Sequence, residues 1–208
     1  MGFYDRHILP WVLDHVMRRP VLTPQREELL SSARGDVLEI GFGSGLNLPF
    51  YPREVERITA VEPSHGMTRR AARNIESSGR DVKVLPLGAD QRLPLPDDSF
   101  DTVVSTWTLC TIPDVAAALR EAHRVLRPGG AFLFVEHGLS PDPAVAKWQH
   151  RLNPINRRLG GGCNLNRDIA ALFSASPLAV RQCQTFYLPR TPRLGGYTYR
   201  GSATKQVE

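Results

Sequence analysis

Cysteine is scarce in this chain. Its 208 residues include Cys110, Cys163 and Cys183, an odd number at wide spacing that fits neither a disulfide framework nor a Cys-x-x-Cys zinc site. They read as reduced thiols, with Cys163 a small hydrophobe, and no metal is expected. No apolar run approaches the roughly 20 residues needed to span a bilayer, which excludes a transmembrane helix from the reading. The opening Met-Gly-Phe-Tyr-Asp-Arg-His lacks the charged start, apolar middle and small-residue cleavage site of a secretory signal, so the expected location is cytoplasmic. Runs of one charge are missing too: 26 Lys and Arg are interspersed with 21 Asp and Glu, for a net charge of +5. That pattern does not point to nucleic acid. Arg151, Arg157, Arg158 and Arg167 thicken locally; a solvated helix face is the plain explanation, and an acidic substrate or peripheral contact with a membrane surface is the alternative.

What the chain does have is a glycine-rich turn. In residues 36–47, Val37, Leu38 and Ile40 read as a short buried strand, and Gly41, Gly43 and Gly45 follow at every second position, where backbone can approach a ligand closely. Leu46 stands where a dinucleotide-binding Gly-x-Gly-x-x-Gly pattern needs its third glycine, which argues against NAD. Ahead of this strand, residues 1–35 form a helical leader in two pieces broken by Pro20 and Pro24, with Ile8, Trp11, Val12, His15 and Val16 spaced for one buried face. Pro49 and Pro52 keep the first crossover short. A second strand covers residues 58–61, and Ser64 caps a helix that Gly79 ends. Strands follow at 82–85, 100–106 and 131–135, with a helix capped by Asp114 and closed by Arg127-Pro128-Gly129-Gly130 before the last of these. Residues 141–162 turn helical and basic, ending in three glycines that serve as a hinge or close approach. A helix at about 167–173 precedes two strand-like runs, 180–188 and 196–200, which suit an antiparallel pair closing one sheet edge. The expected architecture is one α/β domain over residues 1–208: a Rossmann-like seven-stranded sheet, mostly parallel with an antiparallel C-terminal strand, and helices on both faces.

Ligands of an open parallel sheet bind beyond the carboxyl ends of the strands, and Glu39, the glycine turn, Glu62, residues 89–91 and residues 105–108 all fall there. A carboxylate presents acceptors only, so Glu62, about 20 residues past the turn, is placed to take hydrogen bonds from ribose hydroxyls. Together, residues 37–45, Val61-Glu62-Pro63-Ser64, residues 93–101 and Arg124-Val125-Leu126-Arg127-Pro128-Gly129-Gly130 resemble the class I S-adenosylmethionine-dependent methyltransferases. The resemblance implies S-adenosyl-L-methionine as cofactor. It places Glu39, Gly41, Gly43, Gly45 and Asn47 around the methionine part, Glu62, Pro63 and Met67 around the ribose, Ala89, Asp90 and Gln91 at the adenine, and Ser105 and Thr106 beside the bound cofactor. Many relatives read Gly-Asp-Ala-Glu where this chain has Gly88-Ala89-Asp90-Gln91, so the adenine contact shifts toward Asp90.

A narrower resemblance starts at the fourth strand. Thr108-Leu109-Cys110-Thr111-Ile112, Phe134-Val135-Glu136-His137, Trp148-Gln149, residues 162–167 and Gly196-Tyr197 are similar to the methyltransferase-like alkyl thiol methyltransferases. This implies a small thiol acceptor. A thiol of ordinary pKa, about 8.5, is a few per cent thiolate at neutral pH, so in-line positioning in a dry pocket does much of the work. If a base acts, His137 and Glu136 are the candidates by position. Tyr4, Trp107, Trp148 and Tyr197 are candidates for the walls of an apolar acceptor pocket, with core packing as the alternative for each. The other functional readings are N-, O- or C-methylation of a lipid headgroup, quinone or other small molecule, and a non-catalytic module that only binds the cofactor. A nucleic-acid methylase is disfavoured because Ser105-Thr106-Trp107-Thr108 stands where an Asn/Asp-Pro-Pro-Tyr motif is expected.

Overall fold

A computed structural model describes residues 4–206, so the first three residues of the expected leader and the last two of the chain lie outside the description. Seven strands, β1 (Gly35–Ile40), β2 (Val55–Val61), β3 (Val82–Leu85), β4 (Phe100–Thr106), β5 (Leu126–His137), β6 (Ala179–Tyr187) and β7 (Tyr197–Thr204), form one sheet in the order β3-β2-β1-β4-β5-β7-β6. β1 pairs in parallel with both β2 and β4, and this reversal of strand order opens a crevice above the carboxyl end of β1. β7 is antiparallel to β5 and to β6, so the chain's last strand is inserted between them and β6 forms the edge.

Both faces of the sheet are covered, as the near-continuous apolar strands require. Side chains alternate along a strand, and Leu38, Ile40, Val103, Phe132 and Phe134 belong to one core, with Leu119 of α4 (Val115–Val125) and Phe173 of α6 (Ile169–Ser174). Val37, Ile58, Ala60, Val104, Leu133 and Val135 belong to the other, with Leu29 and Leu30 of α2 (Thr23–Leu30) and Ala71 of α3 (His65–Ser78). Local signals set the helix ends: Ser64 Oγ accepts from Met67 N, Asp114 Oδ1 from Ala117 N, and Gly79 adopts φ +63° after α3. The first crossover is a single 3₁₀ turn, Leu48–Phe50. The basic stretch is α5 (Pro143–Leu159), and a one-turn α7 (Arg193–Gly196) precedes β7.

Three local expectations are corrected. The leader is a π-helical turn, Tyr4–Ile8, followed by α1 (Leu9–Met17) and then α2, but the face expected inside is outside. Ile8, Trp11 and Val16 are 43, 57 and 43% exposed, His15 stacks on Trp11, and Leu9, Pro10 and Asp14 are buried instead. On the inward face Asp14 accepts from Ser44 and pairs with Arg18, so the helix turns this carboxylate, with Leu9 and Pro10, toward the domain. Pro24 does not break the leader but sits in the first turn of α2, where its missing N–H costs nothing. The Arg-Pro-Gly-Gly turn lies within β5: Leu126 already pairs with Phe100, and Gly129, at φ +77°, donates to Lys205 O before regular pairing resumes at Ala131.

Phe173 stacks on Phe134 at 4.3 Å and meets Phe132 edge-on at 5.5 Å, locking α6 to β5. Phe173→Ala is expected to lower unfolding free energy by about 3–5 kcal/mol in urea titrations; a loss under about 1 kcal/mol would show that α6 is dispensable to this core.

Candidate functional site

The three glycines of the turn have different duties. A side chain at Gly41 (φ +70°) would run into Thr108, and one at Gly45 (φ +77°) would press on Phe42 and Leu48. At Gly43 (φ +59°) a Cβ would meet only Met67 Cε, at 3.3 Å, so this is where the backbone stays open to a ligand. Gly43 N donates to Glu62 Oε2 and Ser64 N to Glu62 Oε1, both at 2.8 Å. These bonds aim the Glu62 carboxylate and leave each oxygen a second acceptor site, enough for two ribose hydroxyls. Pro63 is exposed beside it, and Met67 is buried at the start of α3.

Glu39 lies beneath the turn, 1% exposed. Its Oε1 accepts from Asn47 Nδ2 at 2.8 Å and its Oε2 from the Tyr51 hydroxyl at 2.7 Å. Asn47 also donates to Thr106 Oγ1 and accepts from Arg26 Nε, and the Arg26 guanidinium lies 4.9 Å over the Trp107 ring. Glu39 and Asn47 therefore shape the turn from below. From the leader side, Asp14 accepts the Ser44 hydroxyl, while Asn74 Nδ2 of α3 holds Ser44 O at 2.7 Å.

In the loop after β3, expected at the adenine, Ala89 turns its methyl into the core and Gln91 is exposed. Half-buried Asp90 accepts from Asp114 N at 3.4 Å. Ser105, expected beside the cofactor, has no exposed surface, and its hydroxyl donates to Glu136 at 2.7 Å.

Beyond β4 the chain turns sharply at Trp107, whose φ of +51° is rare for a bulky side chain. Trp107 N donates to Val135 O at 2.7 Å and Thr108 N to Glu136 Oε1 at 3.1 Å, and these bonds hold the turn. Glu136 itself is 0% exposed, and burial pushes its carboxyl up to about 7. Its Oε1 is engaged by Ser105 and Thr108, so Glu136, one of the two expected bases, lies behind the turn and presents no surface. His137 differs: its Nε2 lies 3.1 Å from Cys163 Sγ and its Nδ1 is buried without a partner among the described residues. Cys110 is buried nearby, and the Sγ atoms of Cys110 and Cys163 and a ring nitrogen of His137 all lie within 4.8 Å of one another. A hydrogen bond from Cys110 and the neighbouring His137 hold the Cys163 thiol below its ordinary range against the effect of burial. Cys163 is thus corrected from inert hydrophobe to member of a polar cluster.

The loop that carries Cys163 is clasped onto the β4 turn. Asn164 donates to Cys110 O from both its backbone and its side chain at 2.9 Å, and the Arg167 guanidinium donates to Leu109 O and Ile112 O. Of the four aromatics expected around an acceptor, Trp107 reaches the turn, and Tyr4 donates its hydroxyl to Leu159 O at the end of α5. Trp148 is half exposed under Arg151, and the Tyr197 ring is committed to edge-on packing with Tyr187 and Tyr199. A cavity of about 570 Å³ beside Gly45 is lined by Arg18, Arg26, Leu46, Asn74 and Arg80. Neither Glu62, Asp90 nor His137 lines it, so it is not the cradle that the strand ends define. Among the described residues no helix is long and apolar enough to cross a membrane.

The sequence profile described as "Methyltransferase domain" matches residues 38–134. The human protein named thiol S-methyltransferase TMT1B is 38% identical over 179 residues, covering 80% of this chain and 72% of that one. A phosphatidylethanolamine N-methyltransferase of Cereibacter sphaeroides is 38% identical over 127 residues, covering 61% of this chain and 62% of its own length. Among solved structures, the YcgJ protein of Bacillus subtilis superposes with a TM-score of 0.67 at 21% identity, over 90% of this chain and 99% of that one, which speaks to fold.

Burial pushes the Glu39 carboxyl from its ordinary 4.5 up to about 7, against the bonds from Tyr51 and Asn47 and the charge of Arg26. A carboxyl with a raised folded-state pKa contributes fully to stability below about 4.5, and that contribution is lost as pH rises toward 7. Glu39→Gln keeps the shape and has no such proton to lose. Its unfolding free energy should fall less than that of the wild type between pH 4.5 and 7, by on the order of 3 kcal/mol in urea titrations; parallel pH curves would refute the assignment.

Proposed function

Because the chain belongs to the class I S-adenosylmethionine-dependent methyltransferases, we propose that its acceptor is the sulfur of a small thiol. The bound cofactor supplies an electrophilic methyl group on a sulfonium. Gly43 and Glu62 fit the ribose end of it: a backbone without a side chain in the way and a carboxylate with free acceptor sites. The observation that carries the thiol reading is the convergence of Cys110, His137, Cys163 and the Arg167 clasp at the ends of β4 and β5, next to Gly41 through Thr108. These segments resemble the thiol methyltransferases, and the similarity to the human protein of that name supports the same acceptor.

The chemistry asks little of a base. A thiol ionises near neutral pH, and a cation such as Arg167 near the pocket favours its thiolate. The chain's part is to aim that sulfur along the line of the methyl and to keep water away. The turn at Trp107, braced by Glu136 from behind, fixes one wall, and the loop of residues 160–164 under the leader fixes another. A second reading, methylation of a lipid amino headgroup, is supported by the bacterial relative and by the exposed apolar face of Ile8, Trp11 and Val16, which a lipid surface would cover.

Two measurements test these readings. Glu62→Ala should weaken S-adenosylmethionine binding at least about tenfold by calorimetry, from the loss of hydrogen bonds to a charged group; unchanged affinity would remove Glu62 from the cradle. An acceptor panel followed by S-adenosylhomocysteine release should show turnover with small alkyl thiols above that with amines, phenols and phosphatidylethanolamine vesicles. Inactivity on every thiol would end the sulfur assignment, and activity confined to the vesicles would favour the second reading.

A further inference from the structure

We propose that Cys110, Cys163 and His137 form a site for one zinc-class divalent cation, with a fourth coordination position left open for the acceptor thiol. The open position rests on the thiol reading above; the cation site does not. The three ligands come from three separate segments, the turn after β4, the end of β5 and the loop after α5, so their convergence is a property of the fold that no local spacing shows. Their donor atoms lie within 4.8 Å of one another, and His137 Nε2 is 3.1 Å from Cys163 Sγ. Zinc bonds of about 2.3 Å to sulfur and 2.0 Å to nitrogen give tetrahedron edges of about 3.5–3.8 Å, so small side-chain adjustments suffice.

The chemistry of the set is selective. Two thiolates and an imidazole suit zinc and not magnesium or calcium, and three protein ligands are the number found where a fourth position takes water or substrate. Two thiolates neutralise a divalent cation, leaving Glu136 and Arg167 to offset one another around it. The corner is also polar and incomplete: the buried side-chain atoms that lack a partner among the described residues are Glu136 Oε2 and His137 Nδ1. A ring nitrogen opposite the metal usually donates to a carboxylate or water, and His137 Nδ1 is free of any protein partner among the described residues to do so. The scaffold is preorganised as well. Asn156 Nδ2 holds Cys163 O at 2.7 Å, Asn153 Oδ1 accepts from Leu165 N at 2.8 Å, and Asn164 ties the loop to Cys110 O.

Such a cation would do what no base here is free to do. When a thiol coordinates, its S–H bond breaks, a metal–sulfur bond forms and the proton leaves to solvent, so the acceptor is held as a thiolate at neutral pH. This accounts for a thiol-directed site in which Glu136 is walled off and His137 is tied to a cysteine.

The test uses the full chain, freed of metal by a chelator under reducing conditions and titrated with Zn²⁺ alone or Co²⁺ alone. Expected are one Zn²⁺ per chain in competition with a chromophoric chelator, and a sulfur-to-Co²⁺ charge-transfer band with tetrahedral visible bands that shift on adding a small alkyl thiol and not the matching alcohol. Cys163→Ser and His137→Ala should weaken Zn²⁺ binding about a hundredfold while still binding S-adenosylmethionine, which shows that they fold. Zn²⁺ binding no tighter in the wild type than in Cys163→Ser, a Co²⁺ spectrum without the sulfur band, or recovery of a Cys110–Cys163 disulfide in place of a metal-binding form would each overturn the site. Metal bound with no turnover of any thiol would sink the acceptor reading and leave the site standing; equal thiol turnover in the metal-free chain would do the reverse and remove the cation's role.

Discussion

The buried carboxylate of Glu39 is the constraint around which the ligand end of this sheet is built. A carboxylate 1% exposed must be surrounded by donors or it costs several kcal/mol, and every donor it recruits belongs to a different part of the molecule. Asn47 comes from the glycine turn, Tyr51 from the first crossover, and Arg26, reaching Asn47, from the leader. Thr106 at the end of β4 is drawn in through the same Asn47 amide. The polar network thus fixes the height and slope of the turn above it, and Gly43 is presented open because everything beneath it is already satisfied. A half-satisfied network at this position would leave the crevice without a floor.

Much of this was legible in one dimension because the strands are short, apolar and punctuated. The alternation of Val37 and Leu38, or of Leu133 and Phe134, between two cores follows from buried faces on both sides, and the caps at Ser64 and Asp114 sit where they were read. The position of Gly43 and Glu62 at the strand ends was legible for the same reason: they lie close in sequence to the strands that carry them. What failed was anything decided at long range. The apolar spacing of Ile8, Trp11 and Val16 is genuine, yet the helix docks by Leu9, Pro10 and the Asp14 contacts to Ser44 and Arg18, which leaves that face outward. Ser105 and Glu136 sit at the right height on their strands but point at each other across the pair, and the direction of a side chain at a strand end depends on its neighbour strand. Cys110 and Cys163 were read apart because nothing between them in sequence says that the loop after α5 folds back over the turn after β4.

That fold-back divides the labour at the crevice. On the β1–β2 side stand the half-buried backbone of Gly43 and the buried carboxylate of Glu62. The β4–β5 side is held by the turn at Trp107. A positive φ at Trp107 costs on the order of 1–3 kcal/mol, and it persists because the Trp107 and Thr108 N–H groups are both tied to β5. The same turn keeps the side chain of Thr108 against Gly41, so the turn after β4 and the glycine turn meet at one contact.

The leader joins the two halves a second time. α1 runs nine residues, about 13 Å at 1.5 Å per residue, and it touches both sides of the crevice: Leu9 lies against Gly161 beside the Cys163 loop, and Asp14 holds Ser44 in the glycine turn. Gly161, at φ +62°, has no room for a side chain under Leu9, so the approach is as close as the backbone allows. A rigid helix that grips both loops cannot lift from one without moving the other. The same short helix that exposes its apolar face outward therefore fixes the Cys163 loop and the glycine turn relative to one another.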